Sequence, residues 1–183
     1  MQAGEPETSG NYAITFVDGT LTINSAALTV ISGSLTGSVT KVYNGTTVAT
    51  LSPSNYILTG WVGSDGATVT KTTGAYDNAN VGTNKMVTVS LTTSDYAPIG
   101  STNLANYVLP TTITGNVGII TKASLYITAN NYYKFYNGAA YYGGNGVTYR
   151  GFIAGETPSV LGGTLKYGGT SQGAINAGRY SIK

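Results

Sequence analysis

Seven carboxylates are the only side chains here that offer acid–base chemistry near neutral pH, because the 183-residue chain has no histidine and no cysteine. That absence excludes a Ser-His-Asp triad, a thiol nucleophile and the ordinary His/Cys zinc site. Paired carboxylates alone can still cleave a glycoside when two of them flank the bond. Asp18 and Asp65, however, each precede a glycine in a turn, and Asp77 and Asp95 stand in polar loops. Aspartate there serves by bonding to nearby backbone. No catalytic residue is expected, and the chain is read as a non-enzyme. Asp77-Asn78-Ala79-Asn80 offers the oxygen ligands that calcium takes, without the spacing of a calcium loop. The Gly143-Gly144-Asn145-Gly146 run lacks the Lys-Ser/Thr ending of a phosphate cradle and reads as a turn. Neither a metal nor a cofactor is expected.

Tyrosine and lysine carry the remaining chemistry. Tyr126, Tyr132, Tyr133, Tyr136, Tyr141, Tyr142 and Tyr149 crowd into one stretch. Tyrosine faces stack on sugar rings and their hydroxyls bond to glycans, with Tyr132, Tyr133, Tyr141 and Tyr142 as the contacts such a surface would use. The competing and stronger reading is that they fill a core and pair across strands. Trp61, the single tryptophan, is expected as an inner-face core anchor. Lys41 and Lys134 would form Lys–Asn isopeptide staples only beside a buried carboxylate, and the sequence places none there.

The elements that must position these groups are strands. Threonine is abundant, glycine numbers 26 and tyrosine 15, while charged residues make up 9% of the chain. Thr, Val, Ile and Tyr suit a pleated, half-buried surface, and Gly with Asn marks turns. A hydrophobic content of 41% is too high for a disordered linker. Period-two alternation runs through Tyr12, Ile14 and Phe16, then Asp18-Gly19, then Leu21 and Ile23, which is a hairpin signature. Further strands are predicted at 28–31, 38–43, 48–51, 56–61, 67–71, 86–91, 117–121, 125–129, 147–152, 164–167 and 179–182, with 94–106 crossing the surface. The fold class is all-β, as two immunoglobulin-like sandwich modules in series, giving an elongated rod. The net charge of +2 comes from singly scattered residues, so nucleic acid is not an expected partner. No apolar run of membrane-spanning length occurs. Residues 1–6 carry no secretory signal region, so Met1 is read as an added start on an internal fragment.

Two openings match. Ala27-Leu28-Thr29-Val30 leads to Lys41-Val42-Tyr43-Asn44-Gly45, and Ser124-Leu125-Tyr126-Ile127-Thr128-Ala129 leads to Lys134-Phe135-Tyr136-Asn137-Gly138. Repetition of this kind implies two modules, joined at Thr121-Lys122-Ala123 without a floppy linker. Residues 27–121 resemble a YDG domain: Lys41-Val42-Tyr43-Asn44-Gly45-Thr46-Thr47 stands where the family has K-x-Y-D-G-T-T. Gly74-Ala75-Tyr76-Asp77, Asn80-Val81-Gly82-Thr83 and Asn106-Tyr107-Val108-Leu109 stand at its later signatures. Asn44 replaces the family's aspartate. Residues 122–183 resemble an MBG domain through Lys134-Phe135-Tyr136-Asn137-Gly138, Gly151-Phe152-Ile153-Ala154-Gly155-Glu156 and Gly178-Arg179-Tyr180-Ser181-Ile182, with Asn137 an insertion. These resemblances imply structural repeats of filamentous-haemagglutinin-like and adhesin-like bacterial surface proteins.

The resemblance also implies that the second module lacks its last hairpin. That hairpin's pattern stands instead at residues 1–26, with Tyr12, Ile14, Phe16, Leu21 and Ile23 as its apolar face. An uncovered core face and an open sheet edge are costly in water, so insertion into the next molecule is the expected remedy. The expected function is a stalk or fibre repeat of a secreted, extracellular bacterial surface protein, with the chain itself as its partner. The alternative is a glycan-binding module using the tyrosine-rich second half.

Overall fold

The computed structural model describes residues 17–22, 28–153 and 155–183. Among them lie thirteen strands and four single-turn 3-10 segments. The strands begin with β1 (Thr29–Val30), β2 (Ser32–Leu35), β3 (Val39–Val42), β4 (Val48–Thr50), β5 (Tyr56–Thr59) and β6 (Ala67–Val69). They continue with β7 (Thr73–Tyr76), β8 (Gly82–Ser90), β9 (Tyr96–Pro98), β10 (Tyr107–Val108) and β11 (Thr112–Thr121). The last two are β12 (Tyr126–Ala129) and β13 (Val147–Arg150). The protein is all-β, and among the described residues no helix is long and apolar enough to cross a membrane.

A five-stranded sheet in the order β3-β11-β8-β7-β4 is the frame. Its pairings are antiparallel except β3 with β11, which run parallel with Val39 opposite Gly118 and Val42 opposite Thr121. Two-stranded pairs β2-β5, β6-β9 and β1-β10 supplement it, and β12-β13 forms a further hairpin-like pair. In β8 the period-two rule decides burial: Lys85, Val87 and Val89 turn inward, whereas Met86 and Ser90 face out. Leu35 of β2, Val69 of β6 and Tyr96 of β9 meet Val39, Tyr76, Val87, Val89, Ile113 and Ile120 of the large sheet in one core. The large sheet and the short strand pairs therefore share one apolar interior. Each fully buried Val or Ile contributes about 1.5–3 kcal/mol relative to exposure.

Glycine is obligatory where layers crowd. A Cβ on Gly118 would stand 2.8 Å from the Lys85 carbonyl oxygen and 2.8 Å from the Tyr76 ring. The β11–β8 register also shifts on either side of Gly118, a bulge that bends the strand at this contact.

Nine of the predicted strands coincide with observed ones, and β8 and β11 run further than expected. β2, β7, β9 and β10 were not anticipated. The segment read as a surface crossing at 94–106 instead contributes β9 and buries Tyr96 and Thr102. Residues 164–167 and 179–182 form no strand, although the Gly168 and Lys183 backbones exchange two hydrogen bonds of 2.7 and 3.0 Å. Trp61 is half-buried rather than a core anchor, and its ring meets Tyr107 edge-on at 4.8 Å.

Candidate functional site

Two lysine-centred turns share one design. From β3, the Lys41 ammonium donates to Asn44 Oδ1 at 2.9 Å, to the Val48 carbonyl at 3.1 Å, and to both oxygens of Thr46. Asn44 Oδ1 also accepts from the Thr46 amide at 3.2 Å, and Gly45 takes a φ of +74°. An amide oxygen accepts as a carboxylate would, so asparagine satisfies this turn. Lys134 repeats the pattern, reaching Asn137 Oδ1 at 2.6 Å and the Ala139 carbonyl at 2.7 Å, with Gly138 at φ +71°. Burial lowers the Lys41 pKa, and its ammonium lies 5.2 Å from the Tyr76 ring centre. Among the described residues every acceptor on these two lysines is an amide, carbonyl or hydroxyl oxygen. Among the described residues, the carboxylate that an isopeptide bond needs is not beside them.

The first of these turns also touches residues 151–161. The Tyr43 hydroxyl donates to Glu156 Oε1, which raises the phenol's pKa, chiefly through that bond. Ile153 lies against Gly45, where an added Cβ would meet its Cγ2 at 3.2 Å. Tyr43, Lys122, Leu125, Phe152 and Leu161 line a cleft of about 250 Å³ at this joint.

The second region is an aromatic groove of about 670 Å³ between residues 131–141 and 171–182. Tyr132 and Tyr141 stack there, 5.3 Å between centres and 23° between planes. Tyr133 joins them in the lining, but Tyr142 does not. Tyr136 of the same tyrosine cluster also lines it, as do Phe135, Ile175, Arg179, Tyr180 and Ile182, which the sequence reading does not single out as site residues. The alternation of Arg179 to Ile182 was the available signal, since it places Tyr180 and Ile182 on one face. Phe135 is 96% exposed and Tyr133 90%. The Tyr141 hydroxyl is buried with no hydrogen-bond partner among the described residues. Of the other tyrosines in this stretch, Tyr126 is exposed on β12, while Tyr149 packs on Phe152 at 5.6 Å.

Asp65, Asp77 and Asp95 each hold a protein partner. Asp65 accepts from the Tyr107 hydroxyl at 2.5 Å, and Asp95 accepts from the Thr92 amide at 2.8 Å. Asp77 lies 2.8 Å from the buried Lys85 ammonium, which also donates to Asn78 Oδ1 at 2.7 Å. That ammonium sits on the oxygens that Asp77-Asn78-Ala79-Asn80 would offer a cation. Among the described residues no three acidic side chains gather as a metal site. Of the five residues expected as an assembly strand, Leu21 is 84% exposed, whereas Tyr12, Ile14, Phe16 and Ile23 lie outside the described residues.

The family model described as YDG domain matches residues 24–115, half of the chain. No curated protein and no solved structure matches.

Proposed function

The chain belongs to the YDG domain family, and from that premise we propose that it is a structural repeat of a bacterial surface stalk or fibre, extracellular and without catalysis. In this reading residues 27–121 and 122–183 are two immunoglobulin-like modules in series, the second of MBG type, and copies associate head to tail by strand complementation. The observation that carries it is the mechanical continuity at the joint. Strand β11 leads from the core to Thr121, and Tyr43 is bonded to Glu156 across the residues that follow. A stalk transmits load through paired strands and buttressed joints, and this chain has both. Absence of cysteine and a Thr/Gly/Asn-rich composition suit an extracellular location, where free thiols are a liability. Small-angle scattering on the chain tests it: the reading expects an elongated particle with a narrow range of angles at Lys122. A broad distribution of angles would rule the stalk out.

A second reading has one specific observation behind it. The stacked Tyr132–Tyr141 pair in an open groove suits a glycan, which would quench tyrosine fluorescence in a saturable way.

A further inference from the structure

Three observations converge on the aromatic groove. The first is its lack of cover. In residues 122–183 the only buried described residue is Ser171, whereas Phe135, Tyr133 and Tyr136 are largely exposed. Among the described residues, no backbone–backbone hydrogen bond reaches 131–136. Apart from the Asn131 carbonyl, which accepts from Asn145 Nδ2 at 2.9 Å, this is backbone without a strand partner beside exposed aromatic faces, a template for an added strand.

The second is a division of charge that the overall value conceals. Residues 1–26 contain Glu5, Glu7 and Asp18 and no lysine or arginine. Residues 27–121 balance, with Lys41, Lys71 and Lys85 against Asp65, Asp77 and Asp95. Residues 122–183 carry Lys122, Lys134, Arg150, Lys166, Arg179 and Lys183 against Glu156 alone. Lys134 and Arg179 stand in the groove lining, which among the described residues contains no carboxylate. Opposite charge at the two ends favours encounter between them and penalises like-with-like contacts.

The third is reach. Thr29 is paired to Tyr107, near the start of β11, while the groove is built from residues that follow that strand's other end at Thr121. Ten residues of strand span roughly 30 Å at ~3.3 Å each. The six residue steps from Ile23 to Thr29 extend to at most about 22 Å. On this reach a second copy is better placed than the same chain to bring residues 11–23 to the groove.

We propose that the groove formed by residues 131–141 and 171–182 receives residues 11–23 of a second copy, steered by Glu5, Glu7 and Asp18 toward Lys134 and Arg179. This rests on the head-to-tail reading above and assigns its acceptor. Tyr12, Ile14, Phe16, Leu21 and Ile23 supply the apolar side chains that the exposed aromatic groove lacks. The contact is heterologous, so it propagates unless the geometry closes a ring.

Two variants of the full chain test it by sedimentation velocity. Phe16→Asp with Leu21→Asp disables the donor segment, and Phe135→Ser with Arg179→Glu disables the groove. Phe135 touches no part of the core of residues 28–121, so an unchanged urea midpoint for that core controls for misfolding. Each variant alone is expected to associate at least about thirty-fold more weakly than the unaltered chain. Their mixture is expected to give a one-to-one complex that grows no further, because one functional donor and one functional groove remain. Should the groove variant assemble as the unaltered chain does, the acceptor lies elsewhere and the head-to-tail reading survives. Should the unaltered chain stay monomeric at high concentration, both fail. Saturable quenching of the groove tyrosines by one sugar class, with the chain still monomeric, would assign the groove to glycan and overturn the proposal.

Discussion

Replacing Gly118 by alanine should be among the most damaging single-methyl changes in this protein. The new Cβ would stand 2.8 Å from the Lys85 carbonyl oxygen and from two atoms of the Tyr76 ring, well inside van der Waals contact. Neither neighbour yields readily. The Lys85 backbone is held in the β8–β11 ladder opposite Gly118. Tyr76 is 3% exposed, and its hydroxyl donates to the Val39 carbonyl at 2.8 Å. Overpacking a core by one methyl costs about 1–3 kcal/mol, and loss of the tyrosine hydrogen bond adds about 1. A total of roughly 2–4 kcal/mol follows. At a urea slope of about 1–3 kcal/mol per molar, the unfolding midpoint falls on the order of 1–2 M. Trp61, packed on Tyr107, reports the transition by fluorescence. A double-mutant cycle sharpens the test. With Tyr76→Leu in place the ring is gone, and Gly118→Ala should then cost at least about 1 kcal/mol less, the remainder arising at Lys85. A cost below about 0.5 kcal/mol, or strict additivity with Tyr76→Leu, would refute the reasoning.

Other outcomes follow from the same contacts. Lys41→Met removes the ammonium that gathers Asn44, Thr46 and Val48, and should cost about 1–2 kcal/mol in urea titrations. Lys134→Met should accelerate amide exchange at Ala139, whose N–H bonds to the same Asn137 oxygen. The Tyr96 phenol is pushed up to about 12, first by burial and then by the nearby Asp95 charge. The folded state holds that proton more tightly than the unfolded chain, whose tyrosines titrate near 10. Its stabilisation is therefore complete below pH ~10 and lost as pH rises toward about 12, and Tyr96→Phe should flatten that alkaline limb of the urea midpoint. The bond from Lys85 holds the Asp77 carboxyl down, and the Thr92 amide does so for Asp95. Their stabilisation is present above pH ~4 and lost as pH falls through the lowered values, so Asp95→Asn should remove part of the acid dependence.

Alternation and turn residues made the large sheet legible. β3, β4, β5 and β8 each follow a glycine- or asparagine-rich turn and alternate in burial. What escaped, at β9 and β10, was short strand set up by capping chemistry, of the kind that also precedes β5. Ser52 and Thr92 each offer a backbone N–H to a side chain three residues on, Asn55 and Asp95, at 2.9 and 2.8 Å. Each 3-10 turn then releases a tyrosine into a strand, and that hydroxyl ties down a distant loop. Tyr56 bonds the Lys71 carbonyl at 2.7 Å, and Tyr96 the Pro110 carbonyl at 2.5 Å. Asn106-Tyr107 ends a third such turn, with Tyr107 bonded to Asp65. The recurring polar-x-x-Asn/Asp-Tyr spacing is visible in the sequence, but its period is that of a turn, and a search for alternation passes over it. β2 escaped for a different reason. Gly33 faces inward there, and a Cβ on it would stand 2.5 Å from Ile113, so the residue marking the buried face has no side chain to reveal it.

The two lysine turns show how far local geometry determines burial. Around Lys41 the turn is followed by strands that close on a core, and Ile113, Ile120, Val87 and Val89 are all at most 1% exposed. Around Lys134 the same bonds form, yet no apolar side chain of residues 122–183 falls in the buried class among the described residues. A turn fixes the direction of the chain. It does not supply a second layer, and a sheet face without one leaves apolar surface in water at about 25 cal/mol per Å². A layer that covered the groove would suit Lys134 and Arg179 if it had period-two alternation, apolar side chains on one face and few positive charges. Residues 11–23 meet all three requirements within this sequence. If residues 11–23 of a second copy cover the groove as proposed, urea unfolding of residues 122–183 should depend on protein concentration, because assembly and burial are then one equilibrium. Unfolding of the core in residues 28–121 should not. A concentration-independent transition for both parts would mean that the groove is stable uncovered, and the complementarity of the two segments would then have no energetic consequence.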